Sequence, residues 1–200
     1  NPNYSRQSIM ISQKPRFIIY IIVGILIGIT WWITKPTPLP VLGSIPRFEM
    51  TNSKGVPFGT NDLTGKIWVA DFIFTTCAGP CPIMSTEMAD IHKTFLDDNE
   101  IHTVTYTVNP DYDTPEVLAD YAERFNADRS QWHFLTAPYE DIQSIIADGF
   151  KMGDMEDIVF HSTRFALIDR NMNIRGYYTG TESIDVKKLK RDISRLSQGS

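Results

Sequence analysis

Residues 63–74 read LTGKIWVADFIF, a continuous apolar run with β-branched and aromatic side chains behind a turn. Such a run reads as a strand buried on both faces, which demands a sheet covered on both sides. The segments after it supply that cover. PIMSTEMADIHKTFLDD (82–98) brings Ile83, Met84, Met88, Ile91, Phe95 and Leu96 to helical spacing, with Pro82 in a first-turn position. IHTVTYTV (101–108) alternates as a strand, and NPDYDTPEVLADYAERF (109–125) is a turn and a helix with Thr114 as N-cap and Pro115 at the first position. WHFLTA (132–137) reads as a strand and YEDIQSIIADGF (139–150) as a helix closed by Gly149. Residues 151–162 lack a period and read as a loop. TRFALIDRNMNIRGYYTG (163–180) is a hairpin around an Asp-Arg-Asn turn, and SIDVKKLKRDISRL (183–196) a helix capped by Ser183 or Asp185. The alternation predicts a three-layer α/β fold with an antiparallel edge pair.

Residues 17–33, FIIYIIVGILIGITWWI, carry no charge and no proline. A helix of that length covers most of a hydrocarbon core of roughly 30 Å. Lys14 and Arg16 flank one end, and Trp31 and Trp32 the other. The run is apolar on every face, unlike a core helix, and lacks a small-residue cleavage site. It reads as a retained transmembrane anchor. Basic residues concentrate before it, so the short N-terminus is expected in the cytoplasm or matrix and the rest in the periplasm or intermembrane space. Gly24 and Gly28 form a small-xxx-small pair. The expected organisation is a tail (1–16), the anchor (17–34), a proline-rich linker (35–44) and a domain over 45–200.

Charge divides along the same line. Of 19 Lys and Arg, four lie in 1–44, which has no acid; residues 45–200 hold the other 15 against 24 Asp and Glu, a formal charge of −9. A domain this acidic repels phosphates, which argues against a nucleic-acid partner. It suits a basic surface or a cation.

The chain has two cysteines, Cys77 and Cys81, in FIFTTCAGPCP (72–82). Two in 200 residues do not form a disulfide scaffold. The pair falls where a central strand runs into a helix, the end of an open α/β sheet that receives ligands. A helix N-terminus favours the thiolate. If 77–81 form one turn, both sulfurs project to the same side and could close a weak disulfide, act as a redox couple or hold a soft ion such as Cu(I) or Zn(II). A metal needs a third ligand. His92 lies on the following helix, His102 and His133 at strand starts, and His161 in the irregular loop, where function concentrates. Met152 and Met155 in that loop are thioether candidates or gap-fillers.

These segments resemble the Sco/SenC family of membrane-anchored, thioredoxin-like copper proteins of cytochrome c oxidase assembly. FIFTTCAGPCPIM resembles its F-x-F-T-x-C-x-x-x-C-P, VNPDYDTPEVLADYAERF its V-x-P-x-x-D-T-P-x-x-L-x-x-Y, and IVFHSTRFALIDRNMNIRGYY the segment with its ligand histidine. The resemblance covers about residues 45–196. It implies a thioredoxin-like fold, with Cys77, Cys81 and His161 as ligands of Cu(I) or Cu(II). The chain departs from the pattern in Ala78, Gly79 and Pro80 between the cysteines and in Phe160 before the histidine. Such neighbours tune ligand orientation and affinity. Asp111 and Asp113 border the site or simply form the turn.

Three functions follow. The leading one is a metallochaperone without classical turnover, delivering copper to, or reducing the cysteines of, the CuA centre of oxidase subunit II. The second is a tethered thiol-disulfide oxidoreductase with Cys77 and Cys81 as its catalytic redox pair, although C-x-x-C is the usual spacing for that chemistry. The third is an accessory subunit of a respiratory complex.

Overall fold

The computed structural model describes residues 14–33, 37–153 and 163–199. They fall into two compact units, 1–38 and 39–200. In the first, helix α1 (Lys14–Ile33) covers the expected apolar span, and its described side chains, Ile19 to Leu26 among them, are exposed. Among the described residues no helix is long and apolar enough to cross a membrane.

The second unit is built on an eight-stranded sheet in the order β1-β8-β7-β4-β5-β6-β2-β3. The strands are β1 (Gly43–Ser44), β2 (Glu49–Asn52), β3 (Pro57–Gly59), β4 (Ile67–Ile73), β5 (Ile101–Thr107), β6 (Trp132–Thr136), β7 (Arg164–Ile168) and β8 (Asn173–Thr179). Its helices are α2 (Thr60–Leu63), α3 (Cys81–Phe95), α4 (Pro115–Arg124), α5 (Tyr139–Ser144) and α6 (Ser183–Gln198). β4, β5 and β6 run parallel; every other pairing is antiparallel.

All seven residues of β4 are buried, Asp71 among its apolar neighbours in the strand, as expected of a strand covered on both faces. Alternation splits them between two cores. Trp68, Ala70 and Phe72 pack with Tyr106, Ile142, Ile146 and Phe150 under α5. Ile67, Val69 and Ile73 pack with Met84, Met88 and Ile91 of α3, Leu118 and Tyr121 of α4, and Leu189 and Ile193 of α6. Helices on both faces make the three layers.

Several local expectations need adjusting. The helix expected over 139–150 stops at Ser144 and continues as a widened π turn over Ile145–Gly149. The cap of α6 is Glu182, whose side chain makes no capping bond, rather than Ser183 or Asp185. Asp185 instead accepts a hydrogen bond from the Thr179 N–H at 2.9 Å, tying the helix to β8. The β7–β8 pair is not the extreme edge, because the two residues of β1 add to β8.

Candidate metal and thiol site

β4 ends at Ile73, and the chain turns through Thr75 and Thr76 to the cysteines. Cys81 opens α3 behind Pro80, whose φ of −74° already suits a helix, and Pro82 follows where no N–H is needed. Cys81 therefore opens a 15-residue helix, and Cys77 lies in the bend just ahead of it rather than on a helical turn with it. Both are free thiols; Cys77 is half-buried and Cys81 is 5% exposed.

The two thiols differ electrostatically. Burial opposes charge on Cys77, but hydrogen bonds from the Cys81 thiol and from the backbone of Cys81 and Gly79 outweigh it and hold the thiol below its ordinary range. The Gly79 N–H donates to Cys77 Sγ at 3.4 Å. Cys81 is pushed up to about 12, first by burial, then by its hydrogen bond to Cys77 and the charges of Cys77 and Asp71. The outer sulfur is the readier thiolate and the inner one keeps its proton.

Two acidic side chains lie by this turn, and one of them holds it. Asp113 is fully buried just before α4, where it accepts hydrogen bonds from the Thr75 N–H at 3.1 Å, from the Thr75 hydroxyl and from the Thr107 hydroxyl at 2.5 Å. It straps the approach to Cys77 onto the end of β5. Asp111 is exposed in the same turn. Of the two readings, turn former and site neighbour, Asp113 fits the second. Asp71 lies on β4 between Val69 and Ile73, facing the same core as Cys81. It is fully buried, and neither carboxylate oxygen has a partner at hydrogen-bonding geometry; Thr105 opposite it on β5 gives only weak compensation. Burial raises its pKa to about 7. Beside Cys77, a cleft of about 300 Å³ opens between Phe74, Thr76, Val108 and Asn109.

The histidines are not gathered here. His92 Nε2 accepts the Asp128 N–H at 3.2 Å and its ring packs against Trp132. His102 Nδ1 and His133 Nε2 lie 3.0 Å apart where β5 and β6 begin, the opposite end of the sheet from the cysteines. His102 Nε2 reaches the Asn99 carbonyl at 3.2 Å, which makes it the donor there and leaves Nδ1 to accept from His133. His161, Met155 and Phe160 lie outside the described residues. Met152 is buried in the core under α5 and serves as packing. Among the described residues no three His, Cys, Asp or Glu side chains are grouped to hold a metal. Two thiols at the helix start, one of them half-buried, still fit a soft ion that enters and leaves.

Sequence reasoning missed Asp71 and Thr75. Asp71 is the lone acid in an otherwise apolar strand, a visible signal; Thr75 acquires its role only through a residue 38 positions away.

The SCO1/SenC family model matches residues 42–198. A SCO1/SenC family lipoprotein from Bacillus anthracis is 36% identical, with a TM-score of 0.72 over 80% of this chain and 99% of its own. BsSco, described as a member of the Sco family of cytochrome c oxidase assembly proteins with a disulfide switch, is 26% identical, with a TM-score of 0.71 over 82% of this chain and 100% of its own. ScoI of Arabidopsis thaliana, solved with copper bound, shares the fold at 23% identity, with a TM-score of 0.65 over 80% of this chain and 99% of its own. With these geometries and a model match over most of its length, the chain belongs to the SCO1/SenC family, in its thioredoxin-like fold.

Proposed function

We propose that the chain is a copper carrier of cytochrome c oxidase assembly, in which Cys77 and Cys81, with His161 as third ligand, bind copper and pass it to the CuA centre of subunit II. The observation that carries this reading is the thiol pair itself: both sulfurs are free where β4 leads into α3, one half-buried and one in the core. Soft thiolates select Cu(I). Ligand exchange suits such a site, because a partner's thiolate can approach the more accessible Cys77 while Cys81 still holds the ion. Copper in ScoI and the assembly role of BsSco support the assignment. The uncharged run 17–33 and the basic residues before it support a membrane anchor in that stretch of sequence, with the N-terminal tail in the cytoplasm or matrix and the domain outside.

A second reading rests on the inequality of the thiols. A low outer Cys77 and a protonated inner Cys81 are the arrangement of a nucleophile and a resolving thiol, which would reduce a partner disulfide. Cu(I) and Cu(II) titrations of the detergent-solubilised chain separate the two. Cys77→Ser and His161→Ala are each expected to weaken copper by at least about tenfold. Unchanged affinity in His161→Ala overturns the three-ligand site. A wild type that binds no copper, with disulfide reduction surviving in His161→Ala, establishes the reductase instead.

A further inference from the structure

Basic residues avoid three stretches of the domain. Residues 71–92, 108–122 and 137–150 contain no Lys and no Arg, although the chain has 19. These stretches begin in or directly after β4, β5 and β6, and because those strands run parallel, the loops that follow them share the cysteine end of the sheet. Asp111, Glu116 and Glu140 are exposed acids in or just after these loops. The neighbouring strand β7 does bring a cation, Arg164, to the same end. Large apolar side chains stand among the acids. Tyr112 in the β5–α4 loop is 55% exposed, Ile83 in the first turn of α3 52% and Tyr139 at the start of α5 50%. Between the cysteines, Ala78, Gly79 and Pro80 are exposed and uncharged.

The cleft beside Cys77 opens between the ends of β4 and β5. Asn109, one of its walls, accepts the Tyr112 N–H at 3.1 Å, which ties the tyrosine's loop to its rim. At about 300 Å³ the cleft is at the low end of the range for small-molecule sites, with room for a side chain rather than a cofactor. Exposed aromatic and apolar side chains within a charged rim are the makeup of a protein interface, where apolar contact gives adhesion and rim charge selects and steers the partner. We propose that the cysteine end of the sheet is a docking face for a basic partner. Its occupant is an extended protein segment that carries Lys or Arg beside a soft sulfur donor. The donor side chain enters the cleft next to Cys77, and Asp111, Glu116 and Glu140 meet the cations. The proposal deepens the carrier reading above and rests on it for its purpose, but docking itself needs no copper and is measured without it.

The full chain, copper-free and reduced in dodecyl maltoside, is titrated into a short dye-labelled peptide with one Met between Lys-Leu-Lys flanks, and into its counterpart with Glu in place of every Lys. Fluorescence anisotropy reads binding, and methionine supplies the soft donor without forming a disulfide to Cys77. The Lys peptide is expected to bind, and the Glu peptide to bind at least about tenfold more weakly. That difference should shrink as salt rises past about 0.1 M, where exposed charges are screened within about 10 Å. Asp111→Asn, Glu116→Gln and Glu140→Gln together are expected to weaken the Lys peptide by about tenfold, and Tyr112→Ser by about fivefold. A control triple, Asp97→Asn, Glu123→Gln and Asp148→Asn, removes the same charge from exposed acids at the far ends of the helical segments and is expected to change binding by less than about twofold. An equal loss in both triples overturns the face, because the acidic domain as a whole then attracts the peptide. Equal binding of the two peptides, or no binding of the Lys peptide, overturns the basic partner. A chain that docks the Lys peptide on this face and binds no copper keeps the docking face and loses the carrier reading.

Discussion

At Asp71 a carboxyl occupies a position in an otherwise apolar strand, and its charge acts on Cys81. Its pKa of about 7 against 3.8 unfolded fixes the sign of the pH effect. Below about 4 both states are protonated and stability is intact; as pH rises toward 7 the unfolded chain ionises first, and stability falls. Three pKa units correspond to about 4 kcal/mol. Asp71→Asn is therefore expected to flatten the stability profile between pH 4 and 8, gaining up to about 4 kcal/mol on the wild type across that interval in urea unfolding. A wild-type profile as flat as the variant's would refute the buried, unpaired carboxyl. The same substitution removes a charge that holds Cys81 protonated, so thiol alkylation of Cys81 should speed up at pH 8. Asp113 presents the reverse case, a buried carboxylate with three donors. Asp113→Ala strands the Thr75 N–H and two hydroxyls, and is expected to cost about 2–4 kcal/mol and to weaken copper by roughly 10–100-fold through the loosened cysteine turn. Calorimetric unfolding and copper titration read the two effects separately.

Between elements, the contact at the starts of β5 and β6 is also pH-sensitive, with opposite sign. His133, stacked on Phe58 and bonded to His102, is pushed down to about 3, first by burial and then by the charges of His102, Lys54 and His92, with Asp128 opposing. A His held neutral contributes stability above its unfolded pKa of about 6.5 that is lost as pH falls toward 3. His133→Gln is expected to lose about 2 kcal/mol less than the wild type between pH 7 and 5; equal losses would show that His133 titrates normally. Elements with local signals were legible in the sequence. Thr114 caps α4 by accepting from the Val117 N–H, and Pro115 and Pro82 sit in first turns, as side-chain chemistry alone dictates. Strands β1, β2 and β3 were not, because two to four residues carry no period and become strands only by pairing, β1 with β8, β2 with β6 and β3 with β2. The site divides likewise: the cysteines announce themselves by spacing, whereas the roles of Thr75 and Asp113 exist only once β4 and β5 lie side by side.

For the whole molecule, the cysteine turn is continuous with a central strand packed on both cores. Opening that turn does not demand unfolding of β4, but unfolding of β4 destroys the turn. On the copper-carrier proposal, an ion held by Cys77 and Cys81 would bind the native chain and find no preformed site in the unfolded one, so binding would add to global stability rather than to a local loop. At a free concentration about a hundred times Kd the gain is about 2.7 kcal/mol. For a domain of this size each kcal/mol moves Tm by about 2–4 °C, so Cu(I) is expected to raise it by about 5–11 °C, with no shift in a Cys77→Ser, Cys81→Ser double variant. Differential scanning calorimetry under anaerobic conditions with a Cu(I) buffer makes the measurement. An equal shift in the double variant would place the ion elsewhere on the acidic surface. A shift that persists in the double variant only at low salt would identify that surface as the binder, because exposed charges are screened within about 10 Å at 0.1 M salt whereas thiolate coordination is not.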